Sequence, residues 1–116
     1  MEYTIKECLR NNGTPYLNII FNDDSFAPLH SFIMDDFSAF SKEYLEIFDK
    51  VLSDKSEKES VYGNACSFEV TKDKTIIEFL YPEDEDNPEI CSVSTQELRV
   101  LMDDWLHKRN EFQHSR

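Results

Sequence analysis

The sequence is poor in glycine, proline and cysteine, and each shortage excludes a class of protein. Two glycines and four prolines in 116 residues favour regular elements joined by few tight turns. So few glycines also argue against a glycine-rich loop that cradles phosphate. The three cysteines, Cys8, Cys66 and Cys91, lie far apart along the chain. An odd number of separated cysteines argues against a disulfide scaffold and for a reducing compartment.

Long apolar stretches are also missing. Residues 1–7 contain no apolar signal core, and no run approaches the roughly 20 apolar residues of a membrane-spanning helix. We therefore expect a protein of the cytosol. A hydrophobic content of 40%, with 13% aromatic residues, is enough for a folded core. The length of the chain predicts one domain that spans residues 1–116.

Basic residues are outnumbered two to one, since 24 Asp and Glu face 12 Lys and Arg and the net charge is −12. The acidity is evenly spread, because residues 1–60 and residues 61–116 each hold half of the acids and half of the bases. Such a charge repels nucleic acid and anionic membranes, and it suits a basic protein partner. The ordinary alternative is an acidity that only keeps the protein soluble.

Two windows of the sequence, residues 11–41 and residues 75–98, contain no Lys or Arg. The second window includes residues 81–89, a loop whose backbone is restricted by Pro82 and Pro88. Uncompensated acids on such a loop predict a negative patch for a Lys- and Arg-rich surface, although a simple solvated loop is the alternative. The partner-binding residues that these windows predict are Asp23, Asp24, Asp35, Asp36, Glu83, Asp84, Glu85, Asp86 and Glu89.

Motifs that carry chemistry are absent from the sequence. His30, His107 and His114 do not stand at a metal-ligand spacing with another His or Cys. The run 83–86 lacks the central glycine of helix–loop–helix calcium sites. No nucleophile elbow or dinucleotide fingerprint occurs. We predict no enzyme, no catalytic residue, no metal and no cofactor. The alternative is a small hydrolase or metal-dependent enzyme that uses His107 with nearby carboxylates.

The N-terminal half predicts a β-hairpin followed by helices. Residues 3–9 and 16–21 are typical of strands, and residues 11–13 of the turn between them. Residues 26–34 predict a short helix or turn. Residues 35–54 predict a longer helix that opens at Asp35 and Asp36, with these apolar positions at helical spacing: Phe37, Phe40, Tyr44, Leu45, Phe48, Val51 and Leu52. Residues 53–60 are expected to be a charged linker.

The C-terminal half predicts a second hairpin and a final helix. Residues 60–71 are expected to form one strand, with Tyr62 on the same face as Phe68, and residues 75–81 form its partner after a tight turn. Residues 90–93 predict a further strand. Ser94 and Glu97 fit a capping box that opens the last helix. Its apolar stripe is Leu98, Leu101, Met102, Trp105, Leu106 and Phe112.

Together these elements predict the α+β class. An antiparallel sheet of four to five strands should have helices packed on one face, including a C-terminal helix. Such a layer arrangement buries the apolar stripe of each helix against the sheet.

The C-terminal half resembles a known group of proteins over about half of the chain. The matching segments are Tyr62-Gly63-Asn64-Ala65-Cys66-Ser67-Phe68-Glu69-Val70, Lys74-Thr75-Ile76-Ile77-Glu78, Ser94-Thr95-Gln96-Glu97-Leu98 and Trp105. They are similar to the small acidic bacterial immunity proteins of polymorphic toxin systems, such as contact-dependent growth inhibition systems. The N-terminal half matches no family in this way.

The resemblance implies a noncatalytic cytosolic inhibitor of a cognate toxin domain, a basic nuclease that cleaves tRNA or DNA. An acidic inhibitor would then compete with nucleic acid for the toxin's basic surface. The alternative function is an acidic adaptor, or a regulator that mimics nucleic acid toward another basic protein.

Overall fold

A computed structural model describes residues 1–115, and in this part of the chain it contains six β-strands and three α-helices. The strands are β1 Tyr3–Leu9, β2 Pro15–Phe21, β3 Lys58–Tyr62, β4 Cys66–Thr71, β5 Lys74–Phe79 and β6 Ile90–Ser94. The helices are α1 Ala27–Ser31, α2 Ser41–Leu52 and α3 Thr95–His114. A 3-10 turn, Asp24–Phe26, precedes α1, and a π-helical segment, Phe32–Phe37, follows it. The predicted α+β class is confirmed.

The N-terminal hairpin is a sheet of its own. Strands β1 and β2 pair antiparallel, with Ile5 opposite Ile19, and do not join the other four strands. The predicted turn contains Gly13 at φ +84°, a left-handed conformation that glycine adopts without strain. The hydroxyl of Tyr3 donates a hydrogen bond to Asp104, which attaches the hairpin to α3.

The main sheet is a four-stranded antiparallel meander in the order β3-β4-β5-β6. The number of strands agrees with the predicted four to five. Its inner face carries rows of buried residues across the strands, such as Phe68, Ile77 and Cys91. Helices α1, α2 and α3 pack on this face. We refer to the opposite face, which no helix within residues 1–115 covers, as the outer face.

The strand predicted for residues 60–71 is wrong as one element, because the chain reverses at residues 63–65. Strand β3 ends at Tyr62 and β4 begins at Cys66, so that Tyr62 lies opposite Ser67 and Val61 lies opposite Phe68. The reversal places Tyr62 on the outer face, away from Phe68. Part of the expected linker, residues 58–60, belongs to β3.

The single helix predicted for residues 35–54 is also wrong. The structure has the π-helical segment, a break at Phe40 (φ −131°, ψ 44°) and then α2. The side chain of Phe40 is 48% exposed, although the apolar stripe predicts it inside. The short helix or turn predicted for residues 26–34 corresponds to the end of the 3-10 turn, α1 and the start of the π-helical segment. Asp36, whose side chain is fully buried, lies within the π-helical segment.

Helix α3 begins at the predicted Ser94 cap and buries four residues of its predicted apolar stripe, whereas Leu106 and Phe112 are half-buried. The Ser94 hydroxyl accepts a hydrogen bond from the Glu97 N–H at 3.3 Å, and Leu98, Leu101, Met102 and Trp105 are buried. The Trp105 indole donates to the Ser38 hydroxyl at 3.0 Å, which fixes the ring beside the π-helical segment. No helix within residues 1–115 combines the length and apolar composition needed to cross a bilayer.

Candidate partner-binding surfaces

The acidic loop, residues 80–89, joins β5 to β6 and presents its predicted carboxylates to solvent. The side chains of Glu83, Asp84, Glu85, Asp86 and Glu89 are exposed. Within residues 1–115 none of these five forms an ion pair with a base. Their negative charge is therefore available to a partner.

The acidic loop has a defined backbone shape. The Asp84 carboxylate accepts a hydrogen bond from the Asp86 N–H at 3.0 Å, and the Asn87 N–H bonds the Asp84 carbonyl at the same distance. At the base, the Phe79 N–H donates to the Glu89 carbonyl at 2.9 Å. Tyr81, which is 68% exposed, packs edge-on against Phe79. Aromatic rings and carboxylates thus line one open depression of about 320 Å³.

A second surface contains Asp23 and Asp24. They stand at the rim of a groove of about 420 Å³, between β2 and the start of α1, whose walls include Ile20, Phe21 and Phe26. The Ser25 N–H donates to Asp23 at 2.9 Å and lowers the pKa of that carboxyl group. Both acids are exposed, so the groove combines an apolar wall with a charged rim.

Asp35 and Asp36 have opposite environments although they are neighbours. Asp35 is exposed, whereas Asp36 is 0% exposed. The carboxylate of Asp36 accepts hydrogen bonds from the N–H groups of Asn64 at 2.7 Å, Ala65 at 3.0 Å and Cys66 at 2.9 Å. We call this arrangement the Asp36 clasp. Asp36, which the sequence groups with the surface acids, holds the β3–β4 turn and offers no surface to a partner.

One phenol and two thiols in the core near the Asp36 clasp have raised pKa values. Burial, with the charge of Asp36 as a further cause, raises the pKa of Tyr44 and of the Cys66 thiol to about 12. Burial also raises the pKa of the Cys91 thiol to about 11. Because the thiolate is the reactive form of cysteine, these two thiols are poor nucleophiles at neutral pH.

Each of the three histidines contacts one polar group of the protein. His30 Nε2 lies 2.9 Å from Asn18 Oδ1, His107 pairs with Glu111 one turn along α3, and His114 Nδ1 lies 2.8 Å from the carbonyl of Asn110. No group of three or more His, Cys, Asp or Glu within residues 1–115 is arranged to hold a metal ion.

Sequence reasoning missed the outer face of the main sheet. Tyr62 is 82% exposed there and Ile90 is 49% exposed. The sequence contains a signal for this face: the dipeptide Gly63-Asn64, which is typical of hairpin turns, lies between two β-rich runs. With the turn recognised, the alternation of residues places Tyr62 outside.

Comparison with known proteins gives one informative match. The chain is 33% identical over 84 residues to a protein of Bacillus cereus named "Immunity protein", and the match covers 72% of this chain and 71% of the relative. No family model and no solved structure matches the chain.

Proposed function

Since the chain belongs to the immunity proteins, we propose that it neutralises a cognate toxin by binding it, without catalysis. The likeness to the Bacillus cereus relative carries this proposal, because it extends over most of both chains. Burial raises the pKa of the Cys66 and Cys91 thiols, which makes these two residues poor candidates for a catalytic nucleophile. We place this activity in the cytoplasm.

We further propose that the toxin is a basic nuclease domain, one that cleaves tRNA or DNA. A nuclease holds a polyanion with Lys and Arg side chains, and an inhibitor with a net charge of −12 complements such a surface. The inhibitor would then exclude the nucleic acid from the toxin.

The proposed contacts of the toxin include the exposed members of the predicted set. The acidic loop supplies Glu83, Asp84, Glu85, Asp86 and Glu89, and the groove beside β2 supplies Asp23 and Asp24, with Asp35 nearby in the chain. Uncompensated charges of this kind accelerate association with a basic protein more than they increase affinity. Asp36 is left out of the contact set because it is buried.

The experiment is an activity titration. We expect the toxin to be encoded directly beside this gene, with a basic toxin domain at its C-terminus. That domain is purified, and its cleavage of tRNA and of DNA is measured with increasing amounts of the chain. We expect cleavage to stop near a 1:1 ratio, because a binding inhibitor acts stoichiometrically. Inactivation of a large excess of toxin by a small amount of the chain would contradict the noncatalytic proposal. Growth of cells that express both proteins tests protection in vivo.

A further inference from the structure

The outer face of the main sheet is arranged in cross-strand rows. One row is formed by Tyr62, Ser67, Glu78 and Ile90, which are successive partners across β3, β4, β5 and β6. The next row is formed by Ser60, Glu69, Ile76 and Ser92. The two rows together contain three serines, one tyrosine, two isoleucines and two glutamates.

Charge on the outer face is polarised along the strands. Glu78 forms no ion pair with any base in residues 1–115, and Glu69 contacts Lys58 at 3.3 Å. The bases of this face, Lys58 and Lys74, lie in the row at the opposite end of the sheet. The end that carries Tyr62 and Glu78 therefore presents negative charge beside exposed apolar surface.

A cleft of about 220 Å³ lies between these side chains. Its walls include Tyr62, Glu69, Ile76 and Glu78, and Ser67 lies between them. Small-molecule sites usually measure about 300–1,000 Å³, so this cleft has the size for one long side chain of a protein partner. A basic side chain fits its chemistry, since Lys and Arg lay their aliphatic stems on apolar surface and extend the charge to a carboxylate. That carboxylate is Glu78, because Glu69 is already paired with Lys58.

The net charge of −12 favours a basic occupant over a second copy of the chain or nucleic acid, both of which are negatively charged. A second copy with its strands in the same direction would bring Glu78 near the same acids, and like charges oppose that contact. A copy with its strands reversed would bring the acids opposite Lys58 and Lys74, and this arrangement is one outcome of the test. A basic protein surface with an accessible Lys or Arg is complementary.

We infer that the outer face is a docking surface for the toxin, and that a Lys or Arg of the toxin enters the cleft between Tyr62, Glu69 and Glu78. This inference rests on the proposed function and adds a surface that the acidic loop and the groove beside β2 do not include. Tyr62 acts as the exposed aromatic anchor, a residue type that is enriched among binding hot spots.

The test compares variants in binding to the purified C-terminal domain of the protein encoded beside this gene. The Glu78→Lys and Tyr62→Ser variants should each raise Kd by about 30-fold, the lower limit for a hot spot. Glu57→Lys is the matched control: Glu57 is exposed and lies near Lys72 and Asp73, at the other end of the sheet. It makes the same charge reversal and should change Kd by less than about threefold.

A photo-crosslinking amino acid at position 62 gives a second measurement that does not depend on a loss of affinity. It should crosslink to a Lys- or Arg-containing peptide of the toxin domain, whereas the same group at position 57 should not. Full binding by both Glu78→Lys and Tyr62→Ser would overturn the inference and leave the proposed function intact. Crosslinking of position 62 to a second copy would likewise overturn it. Failure of the wild-type chain to bind the domain would refute the proposed function, and this inference with it.

Discussion

No Cβ fits between the backbone of Gly63 and the carboxylate of Asp36, because an atom built there would lie 2.5 Å from Oδ2. The same atom would lie 2.7 Å from the hydroxyl of Tyr44. Glycine at this position lets the β3–β4 turn approach the π-helical segment closely enough for three backbone N–H groups to reach one carboxylate. The Asp36 clasp thus joins the helical layer to the sheet through a polar contact inside the protein.

The first prediction concerns the Asp36 clasp. Asp36→Ala should reduce the free energy of unfolding by at least about 3 kcal/mol, because it leaves buried N–H groups without an acceptor. Asp35→Ala is the matched control and should change stability by less than about 0.5 kcal/mol, since Asp35 is exposed. Urea denaturation followed by circular dichroism measures both. Equal stability of the two variants would mean that water replaces the carboxylate.

The second prediction concerns Trp105, which is 2% exposed. Trp105→Ala should reduce the free energy of unfolding by about 3–5 kcal/mol. It removes a large buried side chain of α3 and the hydrogen bond of its indole to Ser38. A domain of this size has a total stability of about 5–15 kcal/mol, so the variant should be marginally folded or unfolded. Val100→Ala on the exposed side of α3 is the control. A melting temperature of Trp105→Ala close to that of wild type would place the ring outside the core.

The third prediction concerns the acidic loop and rests on the proposed toxin partner. Neutralising Glu83, Asp84, Glu85 and Asp86 together should slow association with the toxin domain about tenfold at low salt and change dissociation less. Raising the salt concentration should slow wild-type association in the same way. Stopped-flow or surface-plasmon measurements give both rates, and circular dichroism checks the fold. An unchanged association rate would move the electrostatic contact to Asp23, Asp24 and Asp35.

The fourth prediction separates an inhibitor from an enzyme. His30→Ala and His107→Ala should each keep protection in cells that express the toxin, because binding energy is shared among several anchors. A tenfold loss of affinity, about 1.4 kcal/mol, leaves a nanomolar inhibitor saturating at micromolar concentration. Loss of a catalytic base costs several orders of magnitude in rate instead. A folded His107→Ala protein that binds the toxin but gives no protection would support the enzymatic alternative.

Local patterns predicted much of the fold. The N-terminal hairpin, the strands β5 and β6 and the capped helix α3 each have a signal within a few residues: alternation, a turn dipeptide, or Ser94 ahead of Glu97. The inner face of the sheet follows from the same alternation once each strand is placed. The acids of the acidic loop are exposed as their charge density predicts.

The rest depends on contacts between distant residues. Asp36 follows an exposed Asp in the sequence, and only its position opposite residues 64–66 makes it a buried acceptor. The contact holds residues 64–66, the turn at which β3 ends and after which Val61, not Tyr62, lies opposite Phe68. Periodicity within one segment contains no information on a hydrogen bond between residues 36 and 64. For this reason the periodicity predicted one strand through residues 63–65 and one helix through residue 40.

The meander order of the main sheet has a kinetic consequence. Each strand pairs with its sequence neighbour. Residues 63–65 and 72–73 are short connections and residues 80–89 form a longer one, but loop-closure entropy grows only slowly with length, so every pairing is local. The Asp36 clasp joins residues 28 to 30 positions apart and needs the completed turn as its partner. We therefore expect the strands to assemble before the clasp closes. In refolding experiments, Asp36→Ala should then mainly accelerate unfolding and leave the folding rate nearly unchanged.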